Sequence, residues 1–222
     1  MPQWKSIHTY YRLFHRFRKN RIKSFYATFS PKPDDSVLDI GGYIGTWDSP
    51  WQFEDSFPVT IINIDKRNPV DNERFTVMEG DATALPFGDG SFRIAFSNSV
   101  IEHVGSWEKQ QVFAREARRV ADQLWIQTPA KSFPMEPHFL GPFIHWFPKD
   151  LQRRLAYHFT LWGWISRPTP AAVDAMIASI RLLTLHEFET LFPDCHIMHE
   201  RFLGLTKSYI AIRTKRPTTS CR

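Results

Sequence analysis

The residues able to do chemistry fall into a few short clusters. In Asp39-Ile40-Gly41-Gly42-Tyr43-Ile44-Gly45 a carboxylate stands just ahead of a glycine cluster. An ionised Asp is an acceptor-only group that can hold a ligand ammonium or hydroxyl. The glycines permit positive φ and let a ligand approach the main chain with no Cβ in the way. Asp65, followed by Lys66, ends the apolar run Val59-Thr60-Ile61-Ile62-Asn63-Ile64, and a carboxylate at such a tip can accept from both hydroxyls of a ribose. Asp81-Ala82 and Asn98-Ser99 follow the next two apolar runs, with Glu102-His103 close behind. His138 and His145, with Glu136, lie in a proline- and aromatic-rich stretch. His103, Glu136, His138 and His145 are the candidate general bases. His138 and His145 in one loop show no third metal ligand, so no metal is expected.

These residues need a scaffold, and the runs between them supply it. Val37-Leu38-Asp39-Ile40 reads as a buried parallel strand entering a tight turn. Val59–Ile64, Phe75–Glu79, Phe92–Phe96 and Leu124–Thr128 read as four more strands. Glu108 to Val120 reads as an amphipathic helix, with Val112, Phe113, Ala117 and Val120 inward and Arg115, Arg118 and Arg119 outward. His186 to Pro193 reads as the last helix, before an antiparallel pair, Cys195–Arg201 and Thr206–Arg213. Asp39 is expected to project outward from its strand toward a ligand. Asp65 alone reads equally as a turn residue before Lys66-Arg67-Asn68-Pro69. Glu102-His103 alone reads as a surface pair on a helix.

The glycine stretch excludes two nucleotide sites. A phosphate loop needs Lys-Ser or Lys-Thr after the last glycine, where this chain has Thr46-Trp47. The spacing also fails the G-x-G-x-x-G dinucleotide pattern. An ordinary strand-to-helix turn stays open. The stretch does resemble the first motif of class I S-adenosylmethionine (SAM)-dependent methyltransferases, Asp/Glu-x-Gly-x-Gly-x-Gly, although Tyr43 departs from it and Gly42 sits one place early. Gly80-Asp81-Ala82-Thr83-Ala84-Leu85-Pro86-Phe87-Gly88-Asp89-Gly90-Ser91-Phe92 is similar to that family's Gly-Asp-Ala…Leu-Pro-Phe…Ser-Phe-Asp signature, with Arg93 where the family commonly carries Asp. Ser97 to Val104 resembles its segment after strand four. The resemblance runs from about Val37 to Pro129 and fits again at the end of the chain.

That resemblance implies a Rossmann-like α/β fold: a seven-stranded sheet of order 3-2-1-4-5-7-6, strand 7 antiparallel. It implies SAM as cofactor, held by Asp39, Gly41, Gly42, Tyr43, Gly45, Asp65, Lys66, Asp81, Ala82, Asn98, Ser99 and His103. In the family, the residue matching Asp81 accepts from the adenine amino group, the Ala82 amide meets a ring nitrogen, and the segment after strand four ends in a Glu-His-Val-like helix start under the sulfonium. His103, His138 and His145 are the catalytic candidates.

The expected organisation is a helical lid over residues 1–30, a methyltransferase domain over 31–214 with a substrate-side insertion at 131–185, and a disordered basic tail at 215–222. Residues 3 to 29 pair an aromatic periodicity (Trp4, Ile7, Tyr11, Phe14, Phe17, Ile22, Phe25, Phe29) with Lys5, Arg12, Arg16, Arg18, Lys19, Arg21 and Lys23. The reading preferred for stability is an aromatic face packed on the domain and a solvated basic face. A lid and an anionic-surface contact are the sharper alternatives. The loop from Lys131 to Pro148 is stiffened by proline, and a rigid aromatic loop at a sheet's carboxyl edge serves as a ligand wall or a core roof. Tyr157 to Trp164 continues that surface, and Ala171 to Leu183 reads as an extra helix.

No apolar run is long enough to span a bilayer. Two cysteines, Cys195 and Cys221, give no disulfide framework, so a reduced cytoplasmic setting is the default. The net charge of +5 is modest, the N-terminal basic block is too short and too aromatic to favour nucleic acid without further basic clusters, and membrane contact by the first helix is left open but not preferred. The expected activity is methyl transfer from SAM to a small-molecule acceptor. The alternatives are a SAM-consuming cyclase releasing methylthioadenosine, as in azetidine-2-carboxylate formation, and a non-enzymatic basic scaffold.

Overall fold

A computed structural model of the chain describes residues 19–47, 57–64 and 74–215. Its main strands are β1 Val37–Ile40, β2 Val59–Asn63, β3 Phe75–Glu79, β4 Phe92–Asn98, β5 Ala121–Pro129, β8 His196–Phe202 and β9 Leu205–Arg213. They form a seven-stranded sheet of order β3-β2-β1-β4-β5-β9-β8. β1 pairs in parallel with β2 and β4, and β2 with β3; β8 and β9 are antiparallel. This is the order and polarity expected from the sequence. β1 is buried along its whole length, as a parallel strand covered on both faces requires.

The chain divides into two compact units. The first comprises Met1–Asn98, Glu116–Trp125 and Arg213–Arg222; the second comprises Ser99–Arg115 and Ile126–Ile212. In the first unit, helix α1 (residues 19–29) buries Phe25 and Phe29. Phe25 meets Trp47, Phe96 and Trp125 edge to face at 5.6, 5.3 and 6.0 Å, the geometry aromatic quadrupoles prefer. The packed aromatic face is therefore present over 19–29. The basic face is not wholly solvated there, because Arg21 is buried. The aromatic and basic positions before residue 19, and the tail beyond 215, lie outside the described residues.

Helix α2, Trp107–Val120, begins one residue before its predicted start. In the second unit, the proline-rich stretch is folded: Met135–Glu136 (β6) and Gly141–Pro142 (β7) pair as a short antiparallel hairpin. Three helices follow, α3 Lys149–His158, α4 Leu161–Ser166 and α5 Pro170–Ser179. Phe139, Ile144, Ala156, Val173 and Ile177 form a small core among them. Thus α3 and α4 replace what the sequence shows only as an aromatic surface, and α5 stops four residues short of Leu183. Helix α6, Leu185–Leu191, opens on a capping box in which Thr184 and Glu187 satisfy each other's backbone N–H groups.

Candidate functional site

The site in the first unit is built from strand tips sewn to one another. The Gly41 N–H donates to the Ile62 carbonyl at 2.7 Å, and Gly80 N–H to the Asn63 carbonyl at 2.9 Å. The Asn63 side-chain amide donates to the carbonyls of Gly41 and Gly42 at 3.2 and 3.0 Å. From the other side, buried Ser97 donates its hydroxyl to the Ile40 carbonyl at 2.9 Å. Gly41 has φ +75°, which only glycine adopts without strain. The tips of β3, β2, β1 and β4 therefore form one edge around a glycine turn. Asn63 and Ser97 were not among the sequence candidates; a polar residue at each strand's end was the available signal.

Asp39 corrects its expected orientation. It does not project outward but is fully buried. Its Oδ2 accepts from the Trp47 indole N–H at 2.8 Å, while its buried Oδ1 has no partner among the described residues. A Cβ added at Gly42 would fall 1.8 Å from Asp39 Oδ2, so the carboxylate fills the space beneath that glycine. Burial pushes the Asp39 carboxyl up to about 7 against the opposing Trp47 hydrogen bond. Tyr43 lies half exposed with its ring over Gly45, whose added Cβ would come within 2.8 Å of it.

Asp65 and Lys66 lie outside the described residues. Asp81 follows β3, and its Oδ1 accepts from the Thr83 N–H and hydroxyl at 2.8 and 2.7 Å, an Asx turn that shapes the loop through Ala82. The loop is then clamped by α2. The Arg119 guanidinium donates to the carbonyls of Phe87 and Leu85 and to Asp89, and Glu116 accepts the Leu85 N–H at 2.9 Å. Arg119, expected to face outward, is tied to this loop by those contacts. Arg93, where the family pattern has Asp, reaches Asp35 at 2.7 Å. The Asn98 side chain accepts from Arg21 of α1 at 2.7 Å.

The second unit gathers a different set. Ser99 has φ +60° and donates to the Gln127 side chain at 2.9 Å. Glu102 is not on the surface: it is fully buried and accepts from the Thr128 hydroxyl at 3.0 Å. His103 meets His138 ring to ring at 4.7 Å, nearly perpendicular. His138 Nδ1 lies 2.7 Å from Glu136 Oε1, while Glu136 Oε2 accepts the N–H groups of His138 and Phe139. Burial would lower the His138 pKa, but the Glu136 hydrogen bond and charge carry it above its ordinary value. Burial and neighbouring His138 hold His103 below its own, against a hydrogen bond to the Ser179 backbone. His145 is not in this group. Its Nε2 lies 2.9 Å from the Lys131 carbonyl, and burial lowers its pKa.

Strand order, stitched tips and the Asp81 loop converge on one scaffold. Residues 55–123 match the methyltransferase domain family model. The match covers less than half of the chain. The chain's fold is shared with magnesium protoporphyrin IX methyltransferase from Synechocystis PCC 6803, solved with S-adenosylhomocysteine (SAH): 11% identity over 96% of this chain and 93% of that one, TM-score 0.57. A Galdieria sulphuraria protein described as a sarcosine dimethylglycine methyltransferase aligns at 17% identity over 84% and 63%, TM-score 0.54. No curated protein sequence matches the chain. Identities this low speak to the methyltransferase fold alone, so the acceptor has to be argued from this chain's own residues.

Proposed function

We propose that this methyltransferase binds SAM over the glycine turn of its first unit and passes the methyl group to a small-molecule acceptor. The observation that carries the reading is the bare Gly41–Gly42 main chain, held from one side by Asn63 and filled from beneath by Asp39. No side chain fits at Gly42, so backbone is what a ligand meets there. On this reading Gly41, Gly42, Tyr43 and Gly45 line the methionyl end, Asp65 and Lys66 the ribose, and Asp81-Ala82 the adenine, with Asn98 completing the set. Asp39 supports the turn and places a carboxylate near the ligand's ammonium.

As the acceptor bonds the methyl carbon, the S–CH3 bond breaks and its electron pair leaves on sulfur as the neutral thioether of SAH, which needs no acid, so the protein's task is alignment of acceptor, methyl and sulfur, worth on the order of 7–11 kcal/mol. The second unit by itself holds a cavity of about 160 Å³, lined by Lys131, Glu136, Phe139, His145, Lys149 and Arg181 among others, a size that suits a small molecule. Of the histidine candidates, His138 is the one oriented by a carboxylate and so suits proton transfer best. Titration calorimetry with SAM and with SAH tests the cofactor, with heavy loss expected in Asp65→Ala; a wild-type protein silent to both removes the reading. Incubation with SAM alone, followed by product analysis, separates the chemistry, because methylthioadenosine released without an acceptor would mark cyclisation instead.

A further inference from the structure

We propose that Glu102, His103 and His138 form a binding site for a divalent transition-metal ion of the zinc type. One ligand atom from each lies within 4.8 Å of the others. All three belong to the second unit, so the inference does not rest on how the first unit binds its cofactor. Two imidazoles and a carboxylate suit Zn²⁺ and its first-row neighbours; Mg²⁺ and Ca²⁺ prefer oxygen ligands throughout.

The stronger argument lies behind the ligands. Metal-binding histidines characteristically give their second ring nitrogen to a carboxylate or a backbone carbonyl, which fixes tautomer and ring orientation. His138 is already held so: its Nδ1 lies 2.7 Å from Glu136 Oε1, which leaves Nε2 for an ion. Glu102 is steadied by Thr128 at 3.0 Å. Glu136 is itself fixed by the N–H groups of His138 and Phe139 at 2.7 and 2.6 Å. The two rings meet edge to face at 4.7 Å and 89°.

A tetrahedral ion with bonds of about 2.0–2.1 Å holds its ligands about 3.4 Å apart, so binding draws the three side chains inward. Three protein ligands leave one position open, as in metal sites that act on water or substrate. A water or acceptor hydroxyl bound there would be acidified by the ion. His138 would then serve as a ligand rather than take the proton itself.

The test uses untagged full-length protein, stripped with chelator and titrated calorimetrically with Zn²⁺ and with Mg²⁺. A parallel titration with Co²⁺ is followed by visible absorption. The expected result is one equivalent of Zn²⁺, no response to Mg²⁺, and a Co²⁺ spectrum of nitrogen ligation. His103→Ala and His138→Ala should each abolish uptake. Glu136→Gln, which touches the ion nowhere but frees His138, should weaken Zn²⁺ binding roughly 10–100-fold. The exposed pair His158→Ala/His186→Ala should bind like wild type. The proposal is overturned if wild type takes up no Zn²⁺, if uptake follows His158 and His186, or if folded His103→Ala and His138→Ala keep their affinity. A wild-type Co²⁺ spectrum of oxygen ligands alone overturns it with no variant needed.

Discussion

Asp39 shows how a residue's burial can differ from the pose its sequence position suggests. Its carboxyl sits at about 7 in the folded protein against an ordinary 3.8. Between those values the native state holds a proton that the unfolded chain has released. Because the folded pKa is the higher one, this group's stabilising contribution is complete below about pH 4 and is lost as pH climbs through 7, at up to roughly 1.4 kcal/mol per pH unit. Asp39→Asn should flatten that part of the urea-denaturation profile of ligand-free protein; an unchanged slope would assign it to another group. The sign carries over to ligand binding. A cation over the glycine turn favours the ionised carboxylate, so SAM affinity should rise with pH, up to about tenfold per unit below pH 7, and Asp39→Asn should lose the trend. Gly42→Ala should be more damaging than Gly88→Ala. The first places a Cβ 1.8 Å from Asp39 Oδ2, the second 3.5 Å from the movable Ser91 hydroxyl. Thermal melts should show a cost of about 1–3 kcal/mol for Gly42→Ala, with SAH affinity reduced further, and a Gly88→Ala protein close to wild type.

Among the elements, strands were legible because buried parallel strands are continuous apolar runs, whatever pairs with them. Helices α3 and α4 were not. Helix α4 is only six residues long, and Phe159 in the link from α3 is 67% exposed, so the aromatic run there offers too little length for a helical period to show. The candidate site divides the same way. Its motif positions were legible; the contacts that orient them were not, because the partners lie far away in sequence. Arg21 meets Asn98 across 77 residues, Glu102 meets Thr128 across 26, and Arg119 meets Phe87 across 32. A long cationic side chain looks solvated until its acceptors are known. Arg119→Ala tests the clamp. Removing it leaves the Leu85 and Phe87 carbonyls and the Glu116 carboxylate without that donor, a loss of about 1–3 kcal/mol in denaturation midpoint analysis. SAH affinity should fall with it if the Asp81-Ala82 loop receives adenine, and Arg119→Lys, which cannot span the fork, should restore only part.

At the scale of the molecule, the sheet order followed from the resemblance, whereas the division into two compact units did not, since it cuts through α2 and β5 and follows no composition shift. That division makes a prediction about where damage stops. Gly163 in α4 packs so closely on α3 that an added Cβ would sit 2.0 Å from the Ala156 carbonyl oxygen. Backbone cannot rotate away as a side chain can, so Gly163→Ala must push α4 off α3 and loosen the Phe139–Ile177 core beside them. Hydrogen exchange should accelerate across α3, α4 and α5, by a factor reflecting several kcal/mol of lost local stability. The hydrogen bonds that stitch Gly41, Asn63, Gly80 and Ser97 lie within the first unit, and exchange there should stay slow. SAH affinity measured by calorimetry should remain within about threefold of wild type, a shift of less than about 1 kcal/mol. Loss of SAH binding in this variant, with tip protection intact, would mean that the cofactor takes contacts from the second unit that the glycine turn alone does not explain.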